Sequence, residues 1–406
     1  MATKRKNSPL NGLLANGSMD IPFFLLLIVI VSVGLVMLFS ASYTYSYYNR
    51  DGDSTYIFRR QIIFTVLGLI GMYAVSRIRY EYFKVFAIIG VVVSVGLLLL
   101  VLVLPEYKPG FKRWINLGFT TFQPSEIAKI GLILILAFLL DKDYKGVTGK
   151  IPSKSGIAKT IYDFTDGRIV LYKSFTSVIA YGALIIVFAG LVYLENHLSG
   201  TVLMLAIGFV MLFLGEVKYK WFIAAGGIVL IAVIVLIANP SILQDYMGER
   251  ITAWLDKDFD PTGVRWQTNN SLYAIGSGGF LGTGLGQSKQ KHLYVSEPQN
   301  DFIFAIVCEE LGFIGAATII VLFALLVYRG VYIGLRAKDR FGALLSMGIA
   351  FQIGIQVALN IAVVSDLIPN TGISLPFFSA GGTSIFILLC EMGMLLSISR
   401  SMRKKG

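Results

Sequence analysis

The run Ile21-Pro-Phe-Phe-Leu-Leu-Leu-Ile-Val-Ile-Val-Ser-Val-Gly-Leu-Val-Met-Leu-Phe-Ser-Ala-Ser42 carries no charged side chain over 22 residues. A helix crosses the hydrocarbon of a bilayer with about 20 apolar residues, so this stretch reads as a spanning helix. Lys4, Arg5 and Lys6 precede it, as in a secretory leader. It has no small-residue cleavage site and is longer than a leader's apolar core, so it is expected to remain as a first span. Outward from it, nine more apolar segments lie near 61–77, 82–104, 125–141, 174–194, 199–215, 219–239, 302–328, 341–364 and 376–399. Three of these hold only about 17 residues, a length that fits tilt or partial burial in a bundle. The expected fold is an all-α polytopic membrane protein of about ten transmembrane helices.

Hydrophobic residues make up 55% of the 406 and charged residues 15%, against about 25% charged in soluble domains. Mean hydropathy is +0.72. A soluble globule is excluded. The net charge of +11 sits in short clusters between the apolar runs, which is how membrane-flanking charge is arranged, not a nucleic-acid-binding face. With the N-terminus inside, the cytoplasmic segments and span ends hold 23 Lys and Arg and the outer ones 11, and Lys129 alone lies away from the ends of a span. Cytoplasmic loops are the ones enriched in these residues. Residues 1–20 and 400–406 are therefore expected as cytoplasmic tails of a transmembrane domain over 21–399. Cys308 and Cys390 both lie in apolar runs and read as core residues, not as a disulfide or metal framework.

Two connections are long. The cytoplasmic stretch 142–173 is polar and lysine-rich, a solvated connector against anionic headgroups. The stretch 240–300, a large extracellular loop between the seventh and eighth spans, combines Tyr246, Trp254, Trp266, Tyr273 and Tyr294 with charges and a glycine-dense run over 276–286. Loops of that size are usually functional. No internal repeat supports an inverted-repeat transporter.

Ionisable groups inside apolar spans are costly and mark functional candidates, here Glu126, Lys129, Glu309, Glu310 and Glu391. Glu126 and Lys129, at i and i+3 just after Pro124, can pair on one helix face. That pair serves either structural neutralisation or substrate contact. Asp301 falls where the 240–300 loop meets the eighth span. A partly buried carboxylate there suits a general base, while an acid at a helix start also suits capping. Glu309 and Glu310 lie about two turns deeper, and at most Glu309 shares the side of Asp301. The glycine run lacks the strand and helix of a nucleotide loop. Its amides, with Lys289, Lys291, Arg250 and Arg265, suit either a diphosphate or lipid headgroups. Prolines 369 and 376 and the pair Gly381-Gly382 break the apolar pattern, and irregular backbone at membrane depth survives where it lines a cavity. A re-entrant turn facing an internal cleft is expected.

Three segments, Phe122-Gln-Pro-Ser-Glu126-Ile-Ala-Lys129, Glu297-Pro-Gln-Asn-Asp301-Phe-Ile-Phe-Ala-Ile-Val-Cys-Glu309-Glu310-Leu-Gly and Pro369-Asn-Thr-Gly-Ile-Ser-Leu-Pro376-Phe-Phe-Ser-Ala-Gly-Gly-Thr-Ser384, resemble the SEDS proteins of shape, elongation, division and sporulation, typified by FtsW and RodA. The resemblance covers nearly the whole chain and leans toward the division branch. Ala380 stands where the family often has tyrosine, and Asn360-Ile-Ala362 where Asn-Ile-Gly is common. The resemblance implies a ten-helix fold in a bacterial cytoplasmic membrane and peptidoglycan glycosyltransferase activity on lipid II. It also implies a class B penicillin-binding protein as transpeptidase partner, alongside other division or elongation proteins. By position, Asp301 matches the family's essential outer carboxylate and Glu126 and Lys129 its intramembrane pair. Ser379, in the third segment, is a further candidate.

Transfer from an α-linked diphosphate to a β-1,4 linkage inverts the anomeric carbon, so one displacement with one base suffices, and Asp301 is the candidate. The leaving diphosphate needs electrostatic stabilisation, for which Lys289, Lys291, Arg265 and Arg113 are candidates, with or without a divalent cation, Mg²⁺ or Mn²⁺. No residue is assigned as a metal ligand. Two other classes stay open at this point. A flippase predicts lipid translocation without a new glycosidic bond, and a scaffold recruiting a transpeptidase predicts tolerance of Asp301 loss.

Overall fold

The computed structural model describes residues 13–15, 17–106, 112–118, 120–148, 173–239 and 245–402. Most of the lysine-rich connector and, apart from Arg400, the basic residues of both tails lie outside the described residues. The helices are α1 (Ile21–Asn49), α2 (Tyr56–Arg77), α3 (Phe83–Val103), α4 (Pro124–Lys142), α5 (Tyr144–Thr148), α6 (Lys173–Leu194), α7 (Leu198–Leu214), α8 (Tyr219–Ala238), α9 (Asp245–Leu255), α10 (Trp266–Gly278), α11 (Ile303–Leu335), α12 (Arg340–Val364) and α13 (Gly382–Arg400). A two-stranded hairpin, β1 (Ile115–Asn116) and β2 (Thr121–Phe122), precedes α4. Each apolar segment of the sequence holds a helix, although the last, expected over 376–399, is irregular up to Gly381 and helical from Gly382. Among the described residues seven helices, α1, α2, α3, α6, α11, α12 and α13, are long and apolar enough to cross a membrane, and α7 is a shorter apolar helix. The chain is a polytopic all-α membrane protein.

Local chemistry starts the helices where they start. Asp20 caps α1 by accepting from the Phe23 amide at 2.9 Å, and Asp339 caps α12 by accepting from Gly342 at 2.9 Å, each satisfying an amide that the first helical turn leaves open. Arg329 holds Asp20 with two bonds of 2.9 and 2.8 Å, which ties the start of α1 to the far part of α11. Helix α4 forms the centre of the bundle. It packs against α3, α7 and α12, and Ala128, Leu132, Ile133, Leu136, Ala137 and Leu140 are fully buried. Residues near its start therefore see protein on every side. By contrast Ile62, Val66 and Ile70 of α2 and Val85, Ile88 and Val92 of α3 are exposed, as lipid-facing apolar stripes are.

Helix α11 runs longer than its apolar segment and is broken at Gly312 (φ 66, ψ −168). A break strands amides and carbonyls that must find other partners, and the glycine-dense run supplies them. Phe313 and Ile314 amides donate to the Gly279 and Phe280 carbonyls at 2.9 and 3.2 Å, while Thr283 and Gly284 amides donate to the Glu309 and Glu310 carbonyls at 2.9 and 3.0 Å. Helices α9 and α10 also lie within the 240–300 connection, with α10 packed along α11. Between α12 and α13 the chain is irregular yet buried at Ile373, Leu375, Phe377 and Phe378. The Phe377 carbonyl lies so close to Gly34 of α1 that a Cβ there would stand 2.4 Å from it. This stretch is the inward-facing turn expected from its prolines and glycines.

Candidate active site

The irregular stretch after α12, the loop before α11, the β1–β2 hairpin and the start of α4 enclose a cavity of about 290 Å³. Its wall brings together Arg113, Glu126, Lys129, His197, Asp301 and Ser379. The segment before α11 is held by backbone-directed bonds. Asn360 of α12 donates to the Asp301 carbonyl and to the Ile373 carbonyl, both at 2.7 Å. Ser379 donates to the Asn300 carbonyl at 2.8 Å and accepts from the Leu375 amide at 2.8 Å. Gln61 of α2 accepts from the Gly381 amide at 3.1 Å. Asp301 precedes the helix, which begins at Ile303, so helical spacing from Asp301 to Glu309 and Glu310 does not apply.

Gly372 (φ +71) lies beside the two groups of greatest interest. A Cβ on it would stand 3.1 Å from Asp301 Oδ2 and 4.0 Å from Arg113 Nη1. The carboxylate and the guanidinium thus both lie on the side of this glycine that a Cβ would occupy. Arg113 is buried and donates to the Asn196 carbonyl. Deeper in the wall, Lys129 Nζ lies 2.9 Å from Glu126 Oε1 and donates to Gln356 Oε1 at 3.0 Å, and Gln356 passes the contact on to the Ser374 carbonyl at 3.0 Å. The second Glu126 oxygen, Oε2, has no hydrogen-bond partner among the described residues. His197 stands 3.4 Å from Gln123 Nε2. Burial holds its imidazole neutral, and the charges of Arg113 and Lys129 add to that effect.

The remaining sequence candidates lie elsewhere. Arg265 is buried and donates to Asp366 at 2.8 Å and to the Ala253 carbonyl at 2.7 Å, so it fastens the α9–α10 turn to the chain after α12. Lys291 is buried against Glu310 at 2.9 Å. Glu309 accepts from the Lys289 and Gln290 amides at 2.9 and 3.3 Å and from the Ser288 hydroxyl. The loop amides expected to cradle a diphosphate are thus spent on two glutamates and on the α11 break. The Lys289 side chain is exposed and is not among the residues lining the cavity. Sequence reasoning missed Gln356, Asn360 and His197 as site residues. Gln352, Gln356 and Asn360 recur every four residues in an otherwise apolar run, a polar stripe that could have flagged two of them.

Residues 20–404 match the family described as cell cycle protein, FtsW/RodA/SpoVE. The chain belongs to the SEDS family. Among SEDS relatives, stage V sporulation protein E of Bacillus subtilis (strain 168) is 36% identical over 403 residues, covering 99% of this chain and 100% of the relative. A probable peptidoglycan glycosyltransferase FtsW of Trichlorobacter lovleyi is 34% identical over 386 residues, covering 95% and 94%. A chain from a peptidoglycan synthase complex, described for its structural coordination of polymerization and crosslinking, aligns with TM-score 0.70 at 26% identity over 94% of this chain and 98% of that one. The rod shape determining protein RodA of Thermus thermophilus shares the fold, with TM-score 0.64 at 24% identity over 95% and 98%.

Proposed function

We propose that this chain is a peptidoglycan glycosyltransferase that polymerises lipid II into β-1,4-linked glycan at the outer face of a bacterial cytoplasmic membrane. Both termini are cytoplasmic on this reading, and a class B penicillin-binding protein crosslinks the product. The carrying observation is Asp301 and Arg113 facing Gly372 in the wall of one cavity. In the transfer, the acceptor 4-hydroxyl oxygen bonds to the anomeric carbon as the bond to the diphosphate oxygen breaks, with inversion. The hydroxyl proton passes to Asp301, and undecaprenyl diphosphate leaves with the bonding electron pair. Arg113 meets the charge on the departing oxygens, where a preorganised cation in a water-poor site is worth most. The paired Lys129 and Glu126 support the cavity beneath. The excess of Lys and Arg, 23 against 11, supports the orientation, and likeness to a chain of a synthase complex supports the partner.

The test is incubation of the purified chain with purified lipid II, alone and with its transpeptidase. Glycan polymer is the expected product. Translocation of lipid II across liposomes with no new glycosidic bond would move the chain to the flippase class.

A further inference from the structure

Glu195 sits in the tight turn between α6 and α7, followed by Asn196 at φ 57. Its side chain is fully buried, and neither carboxylate oxygen has a hydrogen-bond partner among the described residues. Ionising such a group costs several kcal/mol, so a carboxyl in this position is held in its neutral form unless a partner compensates it. The rest of the turn belongs to the cavity. The Asn196 carbonyl receives Arg113, and His197 lines the wall. The charged and titratable groups that face this turn are Arg113 from the segment before β1, Lys129 from α4 and His197 of the turn itself. Arg113 is therefore shared by two acids. Glu195 is not among the residues lining the cavity, while Asp301, beside Gly372, is among them.

We propose, resting on the glycosyltransferase reading, that Glu195 is a positioning residue standing as the neutral acid beside Arg113, so that the guanidinium acts on Asp301 and on an anionic diphosphate in the cavity. Were Glu195 ionised, it would draw the same guanidinium away from the cavity. Burial pushes the Glu195 carboxyl up to about 9, against the opposing charge of Arg113. With His197 neutral as well, the turn carries no charge of its own near neutral pH. The sign follows directly. Below about 9 Glu195 is protonated and Arg113 serves the cavity, and above it the new carboxylate competes for Arg113.

Trp114, whose ring centre lies 6.0 Å from the Arg113 guanidinium and which lines the cavity, provides a fluorescence reporter. The full chain in detergent is titrated with undecaprenyl diphosphate. Glu195→Ala is expected to weaken binding about tenfold, the scale of one misplaced charge-assisted hydrogen bond. Glu195→Gln, neutral and nearly isosteric, should restore it. Wild-type affinity should fall as the pH is raised through about 9, and the Gln variant should lack that fall. Gln binding as weakly as Ala, or failure of the Gln variant to fold, would overturn the proposal because a neutral side chain would then not replace Glu195, and an unchanged alkaline fall in the Gln variant would overturn it because another group would then carry that fall. A wild-type chain that binds undecaprenyl diphosphate but makes no polymer from lipid II sinks the glycosyltransferase reading and leaves this assignment standing.

Discussion

Lys291 and Glu310 form a buried ion pair, Nζ to Oε1 2.9 Å, beside Ser40 of α1, whose hydroxyl oxygen lies 2.7 and 2.8 Å from the two carboxylate oxygens. Lys291 also donates to the Gly286 carbonyl at 2.7 Å. The pair joins the glycine-dense run to α11 and α1, which makes Lys291 a structural cation. Lys291→Met should destabilise the folded chain by about 3–5 kcal/mol, because it strands a buried carboxylate. The double variant with Glu310→Gln should lose less than the sum of the two single changes. Thermal unfolding in detergent measures this. A stable Lys291→Met protein with weakened lipid II affinity would return Lys291 to the substrate.

The glycines of the same run divide into those the fold requires and those it does not. A Cβ on Gly282 (φ +81) would stand 2.1 Å from the Glu310 carbonyl oxygen, whereas one on Gly276 would meet nothing within 4 Å. Gly282→Ala should therefore lower the yield of folded protein sharply, since both the conformation and the contact oppose it. Gly276→Ala should be tolerated. Size-exclusion profiles of the two variants provide the comparison, and equal behaviour would dissociate the run from the α11 break.

The Glu126 and Lys129 pair, at 2.9 Å and nearly inaccessible, should respond non-additively in a double-mutant cycle. Each single change strands an opposite charge, while Glu126→Gln with Lys129→Met strands none. Stability and polymerisation measured on all four proteins give the coupling. A simple sum in both would remove the pairing argument and favour independent contacts with substrate.

Asp301→Asn keeps shape and backbone bonds but supplies no base at neutral pH. General-base catalysis contributes about 10²–10⁴-fold, so polymer formed from lipid II should drop by at least about a hundredfold. The Asp301 carbonyl still accepts from Asn360, so the thermal midpoint and co-purification with the transpeptidase should stay close to wild type. Polymerisation by this variant at the wild-type rate would reduce Asp301 to a structural acid.

The sequence by itself determined the class of fold and the acids worth watching. A bilayer demands some twenty apolar residues per crossing, a requirement met or missed within one short window. Every segment located in this way holds a helix, although the last is helical only from Gly382. Charge inside an apolar run is equally local, which is why Glu126, Lys129, Glu309 and Glu310 stood out before any contact was known, and Asp301 stood out at the junction of the 240–300 loop and the eighth span. The roles of the basic residues depended on the tertiary structure. Arg113, Arg265 and Lys291 look alike in sequence, yet Arg265 finds Asp366 and Lys291 finds Glu310, while Arg113 alone of the three lines the cavity with Asp301. The same holds for Gln356, which reaches Lys129 across 227 residues of chain, and for Asn360, which spans 59 residues to the Asp301 carbonyl. Burial sets each of these roles by requiring a partner for every polar group, and a partner that distant leaves no trace in the local pattern. Only the packing of α4, α11 and α12 decides which groups meet.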